Sequence, residues 1–196
     1  MGDSEKSAVI PSASIVNDSL MGEILPGLWI GSLWSVKELA KMPDRRWTVV
    51  SVLQSPKLSL YVEKAVDEMR QQNSEMTIQT EEWTLADQSQ ANLISARLSE
   101  ILQVMDESIH PEEARACLVH CAFGISRSTA VCAAWLIARR HLSLQQAMEQ
   151  IRVARPEASP NMGFVAGLRS LEQCGGNIEN AQQRRRQLLM DDHSLL

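Results

Sequence analysis

A cysteine and an arginine six positions apart, Cys121 and Arg127, are the residues of this chain best suited to covalent chemistry. An apolar run precedes the cysteine and an apolar stretch of helical length follows the arginine, so the segment between them must turn from a buried strand into a helix. The first N–H groups of a helix have no partner inside it. Here they would converge with the loop amides on a concave site that favours an oxyanion. The spacing therefore predicts a phosphate loop, residues 121–127.

The chemistry of this loop would depend on an ionised thiol. The positive potential of the amides can lower a cysteine pKa from about 8.5 to about 3.5–7.5, which makes the Cys121 thiolate dominant at neutral pH. The planar fork of Arg127 can hold two phosphate oxygens, a geometry that lysine cannot reproduce. Ser128 can donate a hydrogen bond to the sulfur and so ease its departure from a cysteinyl-phosphate intermediate. Gly124 relieves the strain of the turn. Five small or apolar residues would surround the phosphate with their amides: Ala122, Phe123, Gly124, Ile125 and Ser126.

Cleavage of a phosphate ester also requires an acid, because an alkoxide or phenolate leaves poorly without a proton. Asp87 is the candidate, since it follows a predicted strand and stands on a polar loop. The same residue could instead turn the chain or cap the next helix. Three carboxylates rival it by charge, but they lie on or after an amphipathic helix and are expected to face solvent: Asp106, Glu107 and Glu112.

Strand-like and helical patterns alternate along the chain. In order, the segments are 47–53, 58–69, 76–85, 93–105, 116–120 and 128–137. This alternation predicts an α/β fold, with a central, mostly parallel sheet flanked by helices and the phosphate loop between a central strand and a helix. The five tryptophans, Trp34 among them, are expected to be core residues.

Composition is consistent with one globular domain. A chain of 196 residues that is 44% hydrophobic can bury one core. The sequence predicts a flexible arm at 1–20, a catalytic domain at 21–176, and a polar C-terminal tail at 177–196 that could be helical. Four cysteines without paired spacing suggest free thiols, and hence a cytoplasmic protein, with the nucleus left open.

Charge and hydropathy argue against several other classes. No apolar run approaches the length of a membrane span, and the N-terminus lacks the apolar core of a signal sequence. The net charge of −5 argues against nucleic acid as a partner, which needs a basic face. The four histidines are scattered and predict no metal site. The sequence does not decide whether Gly2 is lipidated, because Lys6 stands where a serine or threonine is expected.

Residues 120–128 are similar to the signature loop of the cysteine-dependent protein tyrosine phosphatase superfamily, and the chain resembles its small, atypical dual-specificity members. The matching positions are His120-Cys121-x-x-Gly124-x-Ser126-Arg127-Ser128. Residues 24–31 look like the opening strand of that family, and residues 159–164 look like the segment before its late helix. The resemblance therefore covers residues 22–174.

This resemblance implies an activity and several residue roles. The protein would hydrolyse phosphotyrosine and phosphoserine or phosphothreonine in phosphoprotein substrates, without a metal or organic cofactor. Asp87 would protonate the leaving group and then activate the hydrolytic water. His120 would order the loop and help to keep Cys121 ionised. Asn161 would hydrogen-bond the loop backbone, unless it is an ordinary helix cap.

Two other functions stay open at this point. A related enzyme could act on a phosphoinositide or an RNA 5′ end, although the loop has no lysine of the kind that lipid-directed relatives often carry. A binding module could read phosphate without turnover, although Cys121, Arg127 and Asp87 are all present. The sequence specifies neither the physiological substrate nor an oligomeric state.

Overall fold

The computed structural model describes residues 20–88 and 92–193 and contains a single five-stranded sheet in that part of the chain. Its strands are β1 Met21–Leu25, β2 Leu28–Gly31, β3 Arg46–Leu53, β4 Ile78–Thr84 and β5 Arg115–His120. They lie in the order β1-β2-β5-β3-β4. The pair β1 and β2 is antiparallel, and the other pairs are parallel. The prediction of a central, mostly parallel sheet is confirmed.

Helices cover both faces of this sheet. They are α1 Ser35–Glu38, α2 Pro56–Gln72, α3 Ala96–Ser108, α4 Arg127–Arg140, α5 Leu144–Ala154, α6 Met162–Gln173 and α7 Ile178–His193, with short 3-10 turns at Leu39–Lys41 and Pro111–Glu113. Residues of α1 and α2 contribute to the smaller of two apolar clusters on one face, and residues of α3 to α7 contribute to the larger cluster on the other.

The central strands are apolar on both faces because helices cover both faces. In β3, Val50 and Val52 belong to the larger cluster, whereas Val49 and Leu53 belong to the smaller one. This division follows the two-residue period of a strand. The same alternation buries residues 116–120 of β5. The phosphate loop therefore begins at a strand that packing holds on both sides.

The opening segment is not the single strand expected at 24–31. Residues 21–31 form the antiparallel pair β1 and β2, which a turn at Pro26 and Gly27 connects. Pro26 has no N–H for a strand ladder, and Gly27 has a φ of +85°, which glycine adopts without strain. Both halves of the segment are apolar, so the hydropathy pattern did not reveal the reversal.

Trp34 and the residues from 177 onwards are not placed as a division into a core and a polar tail would place them. Trp34 is 48% exposed, so the prediction that it is a core residue is wrong, whereas the other four tryptophans are buried. The polar tail expected from residue 177 begins with α7, whose Ile178 and Ala181 are buried in the larger apolar cluster. Within the described segments, none of the helices has the length and hydropathy to cross a membrane.

Candidate active site

The phosphate loop lies at the carboxyl end of β5, between His120 and the first residue of α4. Because β5 is flanked by β2 and β3, the loop occupies the predicted position near the centre of the sheet. Gly124 has a φ of +71°, and a Cβ at this position would lie only 2.7 Å from the carbonyl carbon of Gly31. Only glycine therefore allows the loop to approach β2 this closely.

The Cys121 sulfur is enclosed by the loop, and the residue is 1% exposed. The Ser128 hydroxyl lies 3.3 Å from the sulfur, and the Gly124 N–H donates to it at 3.2 Å. Burial raises the pKa of the Cys121 thiol, but the hydrogen bonds from Ser128, the charge on Arg127 and the Gly124 N–H outweigh it. The pKa therefore lies below that of an ordinary cysteine, which favours the nucleophilic thiolate.

The Arg127 guanidinium lies beside the sulfur and is buried. Its side chain is 7% exposed, and Nε lies 3.6 Å from Oδ2 of Asp87. Among the described residues, neither Nε nor Nη1 has a hydrogen-bond partner. Unpaired buried donors are costly. Their presence at the phosphate loop fits a side chain whose ligand is an oxyanion.

The structure brings Asp87 to the edge of the phosphate loop. Its Oδ1 accepts hydrogen bonds from the Ser126 hydroxyl at 2.6 Å and from Nδ2 of Asn161 at 2.7 Å. These two bonds orient the carboxyl group, and Oδ2 is the oxygen nearer Arg127. A carboxyl held in this way can exchange a proton with an ester oxygen bound in the loop. Residues 89–91, which continue the polar segment after it, lie outside the described residues.

Asn161 lies next to the loop, but its side chain does not bind the loop backbone as the resemblance implied. Its Oδ1 caps α6 by accepting from the Phe164 N–H at 3.0 Å, and its Nδ2 is the donor to Asp87. The Asn161 N–H donates to the Ser126 hydroxyl at 3.1 Å. Because the helix cap uses only Oδ1 of Asn161, its Nδ2 group can still donate to the Asp87 carboxyl.

His120 orients the start of the loop in its neutral form. Its Nδ1 lies 3.3 Å from the Cys121 carbonyl oxygen, and its Nε2 lies 2.7 Å from the Ser51 hydroxyl. A carbonyl only accepts, so Nδ1 carries the proton and Nε2 accepts from Ser51. Burial lowers the pKa of His120 to about 4. The implied help in ionising Cys121 therefore does not come from a positive charge on this imidazole.

The rival carboxylates lie away from the loop. Asp106 accepts from Trp135 Nε1 at 2.8 Å and from Arg139 Nε at 2.7 Å. Trp135 stands eight residues along α4 from its first residue, which is about 12 Å at 1.5 Å per residue. Glu112 lies in the turn that precedes β5, whereas the loop follows it, and Glu107 lies near the C-terminal end of α3. Of these four carboxyl groups, that of Asp87 is the one that the fold places at the loop.

Arg155 supports the loop from outside, and sequence reasoning missed it. Its Nη2 donates to the Phe123 carbonyl at 3.0 Å, and its Nε donates to the Gly124 carbonyl at 3.4 Å. The Ser159 N–H donates to the Ile125 carbonyl at 2.8 Å. These hydrogen bonds are accepted by the loop carbonyls and help to fix the loop backbone. No local motif marks Arg155, because the contact joins segments that are far apart in the chain.

Selective alkylation is expected to report the lowered pKa of Cys121. At about pH 6, iodoacetamide should modify Cys121 before the other thiols, because the thiolate is the reacting form. Burial raises the pKa of Cys117 to about 12, and it raises that of Cys132 well above its ordinary value. Timed labelling followed by peptide mass mapping measures the rates, with the half-buried Cys174 as internal reference. Inorganic phosphate should slow the reaction at Cys121, and faster labelling of Cys132 would contradict the assignment.

Comparison with known proteins identifies the family. The family described as dual specificity phosphatase, catalytic domain, matches residues 49–174. Human dual specificity phosphatase 28 is 50% identical over 59 residues, which are 30% of this chain and 34% of that protein. Human dual specificity protein phosphatase 12 is 28% identical over 176 residues, which are 87% of this chain and 47% of that protein. The crystal structure of human DUSP28 matches with a TM-score of 0.60 at 26% identity, over 80% of this chain and 95% of that chain.

The α/β fold and the loop at the end of its central strand define the cysteine-dependent phosphatase class. Because the match covers more than half of its 196 residues, the chain belongs to the family of dual specificity phosphatase catalytic domains. This finding confirms the resemblance carried by residues 120–128. The chain spans less than half the length of the curated relatives it matches.

Proposed function

We propose that this protein hydrolyses phosphotyrosine and phosphoserine or phosphothreonine in proteins through a cysteinyl-phosphate intermediate. One observation carries the proposal, namely that a nucleophile, an arginine that can bind an anion and a carboxyl group that can act as an acid lie together at one loop. Cys121 contacts the Ser128 hydroxyl at 3.3 Å, and Arg127 lies 3.6 Å from the Asp87 carboxyl. Membership of the dual specificity phosphatase family supports it.

In the first step, the Cys121 thiolate attacks phosphorus. The S–P bond forms as the P–O bond to the substrate side chain breaks, while Arg127 and the loop amides hold the remaining oxygens. Asp87 donates its proton through Oδ2 to the departing oxygen, so that tyrosine, serine or threonine leaves as a neutral hydroxyl. The step ends with a phosphorylated cysteine and an ionised Asp87.

In the second step, water attacks the cysteinyl phosphate. Asp87, now a carboxylate, takes a proton from the water as the new P–O bond forms. The electron pair of the S–P bond returns to sulfur, where the Ser128 hydroxyl and the Gly124 N–H stabilise the thiolate. Inorganic phosphate leaves, and Cys121 and Asp87 recover their starting protonation states. Neither step uses a metal or an organic cofactor.

We assign the catalytic unit to residues 21–176 and the protein to a reducing compartment such as the cytoplasm. The four cysteines are free thiols, which supports the assignment to a reducing compartment. Membership of the dual specificity phosphatase family supports phosphoprotein substrates that carry the phosphate on tyrosine, serine or threonine.

The wild-type protein is expected to release phosphate from a phosphotyrosine peptide and from a phosphothreonine peptide with the same flanking residues. The rate should be lower for phosphothreonine, because an alkoxide is a poorer leaving group than a phenolate. A colorimetric assay of released phosphate measures both rates, with the Cys121→Ser protein as the blank. Release from a phosphoinositide or an RNA 5′ end, but from neither peptide, would overturn the proposed substrate class. Binding of the peptides with no turnover even of an activated aryl phosphate would indicate a phosphate-reading module.

A further inference from the structure

Exposed apolar side chains are concentrated around the phosphate loop. In the described part of the chain, seven large hydrophobic residues are exposed, and four of them belong to the loop or follow directly after one of its hydrogen-bond partners. We call these four the apolar rim: Trp34 at 48%, Phe123 at 62%, Ile125 at 38% and Met162 at 70% exposure. Because exposed apolar residues that are grouped in one region often mark a binding site in soluble proteins, the rim requires a functional account.

Two rim residues belong to the loop itself, and hydrogen bonds fix their backbone. The Phe123 carbonyl accepts from Arg155 Nη2 at 3.0 Å, and the Ile125 carbonyl accepts from the Ser159 N–H at 2.8 Å. The backbone of both residues is therefore anchored beneath their exposed side chains. An anchored backbone lowers the entropic cost when such side chains bind a ligand.

The other two rim residues come from neighbouring elements. Leu33, which precedes Trp34, donates its N–H to a loop carbonyl at 3.2 Å. Asn161, which precedes Met162, donates its N–H to the Ser126 hydroxyl at 3.1 Å. Three separate segments of the chain thus place an exposed apolar residue either in the phosphate loop or directly after a residue that is hydrogen-bonded to it.

The position of the rim determines what can lie on it. When the loop amides hold the phosphate of a substrate, the residues on either side of the phosphorylated residue must pass over the rim. None of the rim side chains is charged, so a charged neighbour would lose water on the rim without gaining a partner there. Aromatic residues and methionine are typical of the energetically important centres of protein interfaces. An extended segment with apolar neighbours is the best match.

We propose that the apolar rim binds the large apolar side chains that flank a phosphotyrosine, so that the protein selects such segments over those with polar or acidic neighbours. This inference rests on the proposed function, in which the loop receives the substrate phosphate, and it deepens that function by naming a class of substrate sequence. Trp34 and Met162 are specificity residues with no part in the chemical steps.

Peptide binding to the Cys121→Ser protein tests the rim without depending on turnover. Two labelled phosphotyrosine peptides are compared by fluorescence anisotropy, one with leucine and the other with serine on both sides of the phosphotyrosine. The leucine peptide is expected to bind about tenfold more tightly, which the burial of about 55 Å² of apolar surface supplies at about 25 cal/mol per Å². Trp34→Ala and, separately, Met162→Gln in the same background should each lower this ratio. Leu60→Ala, at a 63% exposed position on α2, is the matched control and should preserve it.

The outcomes separate the rim from the proposed activity. Equal affinities for the two peptides, or a ratio that survives both rim substitutions, would overturn the inference. Because each ratio is measured within one variant, partial loss of folded protein does not change it. Self-association that Trp34→Ala abolishes, with no peptide preference, would assign the rim to a second copy of the chain and overturn it as well. Failure of the wild type to release phosphate would overturn the proposed function, while a tenfold binding ratio would still support the rim.

Discussion

Replacement of Cys121 by serine is expected to abolish hydrolysis of an aryl phosphate, with a loss on the order of 10⁴-fold or more in kcat/KM. A serine hydroxyl stays neutral at neutral pH, so the groups that lower the pKa of the Cys121 thiol have no anion to stabilise. These groups are the Ser128 hydroxyl and backbone, the Arg127 guanidinium and the Gly124 N–H. The measurement is the initial rate with a small activated aryl phosphate.

The same Cys121→Ser variant is expected to keep its affinity for inorganic phosphate, because the loop amides and Arg127 are unchanged. Titration calorimetry measures this affinity. Cys174→Ser is the matched control, since Cys174 is a half-buried free thiol at the end of α6, and its turnover should be normal. Residual activity of more than a few per cent in the Cys121 variant would remove this residue as nucleophile. Loss of phosphate binding together with activity would point to a collapsed loop instead.

The sheet could be predicted because its central strands carry a simple signal. The segments of β3 and β5 are predominantly apolar, as strands are when helices cover both faces. The helices between them bury one face and show a helical period. The reversal at Gly27 was not predicted, because the hydropathy pattern continues across the turn; the Pro26-Gly27 pair, which is typical of a turn, is the signal that marks it. The prediction that Trp34 is a core residue was wrong for a related reason, since hydropathy does not distinguish a core residue from one at a binding surface.

The loop could be predicted because its geometry is local. The spacing from Cys121 to Arg127 indicates a strand-to-helix turn, and the N–H groups at the start of a helix favour an anion by local geometry. The groups that support it are not local. His120 meets Ser51 across 69 positions, and Arg155 meets Phe123 across 32 positions. Only the folded chain brings such pairs together, so no pattern in the sequence identified them.

Asp87→Asn is expected to change the pH dependence of turnover. For the wild type, kcat/KM should form a bell that rises as Cys121 ionises, or as the substrate loses its second proton, and falls as the general acid loses its proton. Because the pKa of Cys121 is lowered, the thiol contributes to the rising limb at a lower pH than an ordinary cysteine would. An asparagine keeps an oxygen that can accept from Ser126 and Asn161, but it has no proton to donate, so the falling limb should flatten.

The dependence of the Asp87→Asn loss on the leaving group distinguishes acid catalysis from a structural role. A phosphate ester with a basic leaving group needs the proton, so its kcat/KM should fall by about 10²–10⁴-fold. An ester whose phenolate departs readily should lose much less, and the ratio of the two losses cancels any change in the amount of folded enzyme. Glu112→Gln, in the exposed turn at the opposite end of β5, is the matched control and should leave both rates unchanged. Equal losses for the two esters would mean that Asp87 acts only through its bonds to Ser126 and Asn161, because a missing proton donor cannot slow a departure that needs no proton.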